Sequence, residues 1–85
     1  MGYHLAEIPH GKFGEISKIE EELNELKDAE SQGNRIMELV ELSDLMGAIR
    51  GYLYNYHPNF TLTDLIVMAD ATERAFKDGA RKARN

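Results

Sequence analysis

Cysteine is absent from the chain, and proline occurs only twice. Without cysteine, neither a disulfide nor a thiolate-ligated metal can form. No apolar run approaches the roughly 18 residues of a membrane span, and the N-terminus lacks a signal-peptide pattern. We therefore expect a cytoplasmic protein that does not associate with a membrane.

Basic residues are the minority, with 10 Lys and Arg against 15 Asp and Glu, which gives a formal net charge of −5. Such a balance disfavours binding to nucleic acid through a general basic field. The charges are also unevenly placed, because acid dominates from residue 15 to 44 and base from residue 74 to 84. Both signs in one small chain suit a ligand that combines a metal cation with phosphate.

The length of 85 residues corresponds to one small domain, residues 1–85. A chain of this size buries only roughly 60–65% of the surface that its unfolded form exposes. Small domains usually gain stability from a disulfide, a metal or a partner chain. Since disulfides are excluded, an oxygen-ligated metal or oligomerisation is expected.

Hydrophobic periodicity predicts an all-α domain. Pro9 and Gly11 indicate an irregular arm over residues 1–13, and apolar residues three or four apart predict helices over about 14–31, 34–56 and 62–82. No segment alternates with period two. Three such helices would form a thin slab, so we expect a second chain to complete a four-helix arrangement, as a homodimer or homotetramer.

Two carboxylates of the first helix lie where apolar residues are expected. At about 100° per residue, Glu22 falls inside the apolar stripe and Glu25 falls at its edge. Glu20, Asp28 and Glu30 are instead expected on solvated faces.

The second helix is apolar around its circumference, which predicts a buried helix. Its only charged residues between positions 36 and 49 are Glu38, Glu41 and Asp44. Buried carboxylates are costly unless they are paired or bound to a metal. One solution is a divalent cation between two antiparallel helices, with oxygen ligands that favour Mg²⁺ or Mn²⁺ over zinc and a polyphosphate as co-ligand. The alternative is an interhelical salt bridge to Lys18, Arg50 or Arg74.

Residues 21–25 form an E-E-x-x-E motif, and residues 41–44 form E-x-x-D after fifteen intervening residues. From His4 to Arg81 the chain resembles the short, phage-type members of the MazG-like all-α nucleotide pyrophosphohydrolases. This resemblance implies Mg²⁺-dependent hydrolysis of an NTP or dNTP to the monophosphate and pyrophosphate, in the cytoplasm of a bacterium or a phage-infected host.

The resemblance also implies roles for individual residues. The metal ligands would be Glu22, Glu25, Glu41 and Asp44, and either Glu21 or Glu38 would orient or deprotonate the attacking water. Candidates for phosphate binding are Arg74, Lys77 and Arg81 in the third helix, with Lys12 and Lys18 as alternatives.

Two further alternatives concern function. The rival to an enzyme is a non-enzymatic acidic helical module, such as a phage-encoded adaptor or inhibitor. Aromatic residues near the end of the second helix could stack on a nucleobase, although packing around the helix end is the commoner role. This set comprises Tyr52, Tyr54, Tyr56, His57 and Phe60.

Overall fold

A computed structural model describes residues 4–77 and places three helices in them: α1 (Ile16–Ser31), α2 (Arg35–Tyr56) and α3 (Leu62–Lys77). The described residues contain no strand, so the predicted all-α class is confirmed. Each helix begins within two residues of its predicted start. The predicted continuation of the third helix to residue 82 lies outside the described residues. No helix in the described range is long and apolar enough to cross a membrane.

A tight connection reverses the chain between α1 and α2. Gly33 adopts φ of 68°, a left-handed conformation that glycine reaches without a Cβ penalty. The N–H groups of Gly33 and Asn34 donate to the carbonyls of Glu30 and Ala29 at 2.9 and 3.1 Å. This is the Schellman pattern of a helix C-terminus. The Asn34 side chain then accepts from the Met37 N–H at 3.1 Å and caps α2.

The boundary between α2 and α3 also follows the sequence. α2 ends at Tyr56, before the His57–Pro58 pair, because the residue before proline avoids the helical region. The Thr61 hydroxyl accepts from the Asp64 N–H at 3.2 Å, and the Asp64 carboxylate accepts from the Thr61 N–H at 2.8 Å. This reciprocal pair starts α3 and identifies Thr61 as the capping threonine.

The packing of the helices is uneven. α1 and α2 pair along their lengths, whereas α3 meets only a small part of α2 and contains no buried residue among those described. The prediction that α2 is buried on every side is wrong for the single chain, because α1 covers one side of it only. Ile36 and Leu39 are 76% and 68% exposed. The four-helix arrangement with a second chain stays a prediction.

Residues 4–15 form the irregular arm, which lies against α1. The Leu5 and Ala6 N–H groups donate to Asp28 near the end of α1, and the Gly11 N–H donates to Glu21 near its start. The arm and α1 therefore run in opposite directions. Gly11 permits this contact, because a Cβ there would lie 2.1 Å from the Ser17 carbonyl oxygen.

Candidate metal centre

Carboxylates from α1 and α2 converge between the two helices. Oxygen atoms of Glu22, Glu41 and Asp44 lie within 4.8 Å of one another. A second group at this spacing is formed by Glu21, Glu22 and Glu25, and a third by His4, Glu25 and Glu41. The structure thus brings together the four predicted metal ligands, but in overlapping groups of three rather than around one point.

Glu41 is the most deeply buried of these side chains, at 1% exposure. Its Oε1 atom has no hydrogen-bond partner among the described residues. Burial, and next the negative charge of Asp44, raise the pKa of Glu41 above its ordinary value. A negative charge is unfavourable at this buried position, so binding a proton or a cation would stabilise the Glu41 side chain.

Glu22 is also buried, at 5% exposure, and is only partly neutralised. Its Oε2 lies 3.1 Å from the Lys18 ammonium, while its Oε1 has no hydrogen-bond partner within the described part of the chain. The hydrogen bond to Glu22 is the main cause that raises the pKa of Lys18. Lys18, predicted as an alternative phosphate ligand, therefore lies at the carboxylate cluster.

Glu21 fixes the arm rather than facing the cleft. Its Oε1 accepts from the Gly11 N–H at 2.8 Å and from the Lys18 ammonium at 3.1 Å. The Gly11 hydrogen bond is the main cause that lowers the pKa of Glu21 below its ordinary value, with Lys18 contributing. A lowered pKa makes a carboxylate a weaker base, which suits a structural anchor better than proton abstraction.

Glu25 faces the arm and is partly buried. Burial, followed by the charge of Glu22, raises its pKa above the ordinary value. The imidazole of His4 lies beside it, with Nε2 at 3.5 Å from Glu25 Oε1 and at 3.3 Å from Glu41 Oε2. The arm therefore brings a nitrogen donor to the edge of the carboxylate cluster.

Asp28 corrects the sequence prediction, which placed it on a solvated face. It is 7% exposed and accepts four hydrogen bonds, from His4 Nδ1, two arm N–H groups and Gln32. The His4 hydrogen bond is the main cause that lowers the pKa of Asp28 below its ordinary value. No periodic signal indicated this role, because three of the four partners come from an irregular segment more than 20 residues away in sequence.

Two members of the first carboxylate group, Glu22 and Asp44, border an open cleft of about 630 Å³, and Glu41 is not part of its lining. Small-molecule sites commonly have volumes of roughly 300–1,000 Å³. Carboxylates, cations and aromatic rings line this cleft together: Glu22, Asp44, Lys18, Arg50, Phe13 and Tyr54. Asp44 is exposed to it, whereas the apolar character of α2 had suggested a buried position.

The sequence did not indicate Phe13 as a site residue, and it indicated Arg50 only as a salt-bridge partner of the carboxylates. One signal for Phe13 existed in Gly51, whose missing side chain leaves room for the ring: a Cβ at Gly51 would lie 2.5 Å from the Phe13 Cζ atom. Tyr54 is 70% exposed and lines the cleft, so the packing role expected for it does not describe its position.

The remaining predicted residues lie apart from the cleft. Glu38 is paired with Arg35 at 3.1 Å and belongs to none of the three groups. Lys12 is exposed and borders a neighbouring hollow. Arg74 and Lys77 do not line the cleft, and Lys77 pairs with Glu73 at 3.3 Å. Arg81 lies outside the described residues.

The donor set fits a hard divalent cation. Two of the three carboxylates in the first group are buried, and both have an oxygen atom without a protein partner in the described range. Like charges at this spacing repel one another unless a cation intervenes. The acidic groups could therefore hold a metal ion. Neither protein-family models, curated proteins nor solved structures gave a match to this chain.

Proposed function

We propose that this protein is a divalent-cation-dependent nucleotide pyrophosphohydrolase, which converts an NTP or dNTP to the monophosphate and pyrophosphate. The observation that carries the proposal is the buried Glu41 carboxylate, which lies in one group with Glu22 and Asp44. Glu22 and Asp44 in turn line an open cleft of about 630 Å³. The MazG-like motifs supply the reaction class. Mg²⁺ is the proposed cation, with Mn²⁺ as a substitute.

The residues in and beside the cleft offer suitable contacts for the metal ion, the phosphates and the base of a nucleotide. Glu22, Glu41 and Asp44 would hold the cation, which would supply a Lewis acid to the phosphate oxygens. Lys18 and Arg50 would bind phosphate oxygens, and the exposed rings of Phe13 and Tyr54 would contact the base. Phosphoryl transfer depends mainly on positioning and charge stabilisation, and such a lining can provide both.

The test measures pyrophosphate release from a panel of NTPs and dNTPs, with and without Mg²⁺. We expect Mg²⁺-dependent release by the wild type and a loss of more than about 100-fold in kcat/KM in Glu41→Gln or Asp44→Asn, corresponding to about 3 kcal/mol of stabilisation. Matched controls are Glu30→Gln and Asp70→Asn, because both side chains are exposed. If Glu41→Gln and Asp44→Asn retain pyrophosphohydrolase activity, the assignment of the metal site is refuted.

The rival proposal, a non-enzymatic acidic module, is supported by a different observation. Lys18 lies 3.1 Å from both Glu21 and Glu22, so the chain supplies part of its own counter-charge. This module predicts no pyrophosphate from any nucleotide and a melting temperature that Mg²⁺ leaves unchanged. If no nucleotide yields pyrophosphate and Mg²⁺ leaves the melting temperature unchanged, the non-enzymatic module is favoured over the enzyme.

We further propose that the working form is a homodimer or homotetramer that completes a four-helix arrangement. Large apolar side chains are exposed on two helices, including Ile36 and Leu39 of α2 and Val67 and Met68 of α3. An exposed apolar surface of this kind is typical of a protein interface. Light scattering coupled to gel filtration measures the mass directly, and a monomer at micromolar concentration would refute the proposal.

A further inference from the structure

The carboxylate cluster continues beyond the proposed Mg²⁺ position, toward the arm. Glu41 belongs both to the group with Glu22 and Asp44 and to the group with His4 and Glu25. A carboxylate has two oxygens, and Glu41 directs Oε2 toward His4 while Oε1 has no hydrogen-bond partner among the described residues. It is therefore placed to bridge two neighbouring cations.

His4 is oriented as a metal-binding histidine would be. Its Nδ1 atom lies 2.8 Å from Asp28 Oδ2, and its side chain is 8% exposed. Metal-ligating histidines usually donate one ring N–H to a carboxylate, which fixes the tautomer and presents the other nitrogen to the metal. Asp28 is itself held by N–H groups of the arm, so the ring orientation is set by the fold.

The distances from His4 Nε2 suit coordination. Two donors at about 2.1 Å from one ion are separated by about 3.0–3.4 Å in octahedral or tetrahedral geometry. Nε2 lies 3.3 Å from Glu41 Oε2, which is within this range, and 3.5 Å from Glu25 Oε1, which is slightly beyond it.

We propose that His4, Glu25 and Glu41 form a second cation position, which shares Glu41 with the first and prefers a transition-metal ion over Mg²⁺. The preference follows from the nitrogen donor, since imidazole binds Mn²⁺, Fe²⁺ and Co²⁺ better than it binds Mg²⁺. This inference rests on the proposed function, because the first position is the site proposed there. Asp28 acts as a positioning residue through the imidazole.

The test loads the full-length protein with Mn²⁺ and combines equilibrium counting of bound ions with electron spin-echo spectroscopy, which detects a ligating nitrogen. We expect two Mn²⁺ per chain and modulation from one imidazole nitrogen. His4→Gln should retain one Mn²⁺ and lose the nitrogen signal. Asp28→Asn should weaken the second position by about 10–100-fold. His57→Gln, which removes an exposed histidine, should change nothing.

The remaining outcomes separate the two proposals. One Mn²⁺ without a nitrogen signal would overturn the second position and leave the proposed function standing. Absence of any bound Mn²⁺ would overturn both. Tighter binding of Mn²⁺ by His4→Gln would also overturn the second position. It would show that the imidazole neutralises the carboxylates as a positive charge and does not ligate the metal. Far-UV circular dichroism establishes that each variant is folded.

Discussion

Replacing Glu41 by glutamine should stabilise the metal-free protein, although the residue is the most buried side chain of the cluster. Glutamine keeps the shape and removes the charge. At the 4.8 Å limit of the group, two like charges repel by about 3.5 kcal/mol at an effective dielectric constant of about 20, and by about 0.9 kcal/mol in bulk water. Asp44 is exposed and water screens its charge, so we expect a net gain of about 1–2 kcal/mol.

Thermal unfolding followed by circular dichroism measures this gain. In a domain of this size, about 1 kcal/mol shifts the melting temperature by roughly 4–8 °C, so metal-free Glu41→Gln should melt about 4–16 °C above the wild type. Mg²⁺ at about 100 times its Kd should stabilise the wild type by about 2.7 kcal/mol. It should stabilise the variant far less.

The pH dependence of the same comparison has a definite sign. Because the pKa of Glu41 is raised in the folded state, the folded protein binds that proton more tightly than the unfolded chain does. The resulting stabilisation is fully present below the unfolded glutamate pKa of about 4.3 and is lost as the pH rises through the folded value. The stability difference between the variant and the wild type should therefore widen from pH 4 toward neutrality.

Two results would refute this reasoning. A metal-free Glu41→Gln that melts below the wild type at neutral pH would show that Glu41 is a net stabilising partner of the cations around it. An equal gain from Mg²⁺ in both proteins would show that the ion binds elsewhere. Glu30→Gln serves as the control, because its side chain is exposed and should behave as the wild type does.

Three further predictions concern the framework of the site. Gly51→Ala should destabilise the protein by about 1–3 kcal/mol and raise KM, because the new Cβ would displace the Phe13 ring. Gly47→Ala should instead stabilise the protein by about 0.5–1 kcal/mol, because its Cβ would meet no neighbour within 4 Å. Thermal unfolding and nucleotide kinetics compare the two variants. Asn34→Ala should cost about 1 kcal/mol through the lost cap of α2, and an unchanged melting temperature would contradict the cap. Because the pKa of Asp28 is lowered in the fold, its stabilisation of the arm should be present above the unfolded aspartate value and lost as the pH falls through the folded one. Amide hydrogen exchange at Leu5 and Ala6 should report that loss, and pH-independent protection would contradict it.

Part of the candidate site was predictable from the sequence. The spacing of Glu22 and Glu25, and of Glu41 and Asp44, identified the pairs that α1 and α2 carry toward each other. Helical period is a local property, so it reveals which side chains share a face. It does not reveal how much of that face a neighbour covers, and for this reason Asp44 is exposed although its helix is apolar on every side.

The sequence by itself determined the three helices, the two connections between them and the start of α3. The glycine and asparagine between α1 and α2, the proline after α2 and the threonine before α3 act on the backbone within a few residues of themselves. Only the tertiary structure decided that the arm lies along α1, that Asp28 is buried beneath it, and that His4 reaches Glu25 and Glu41. Those contacts join an aperiodic segment to residues 21 to 37 positions away, and no local rule of helix formation specifies such a pairing.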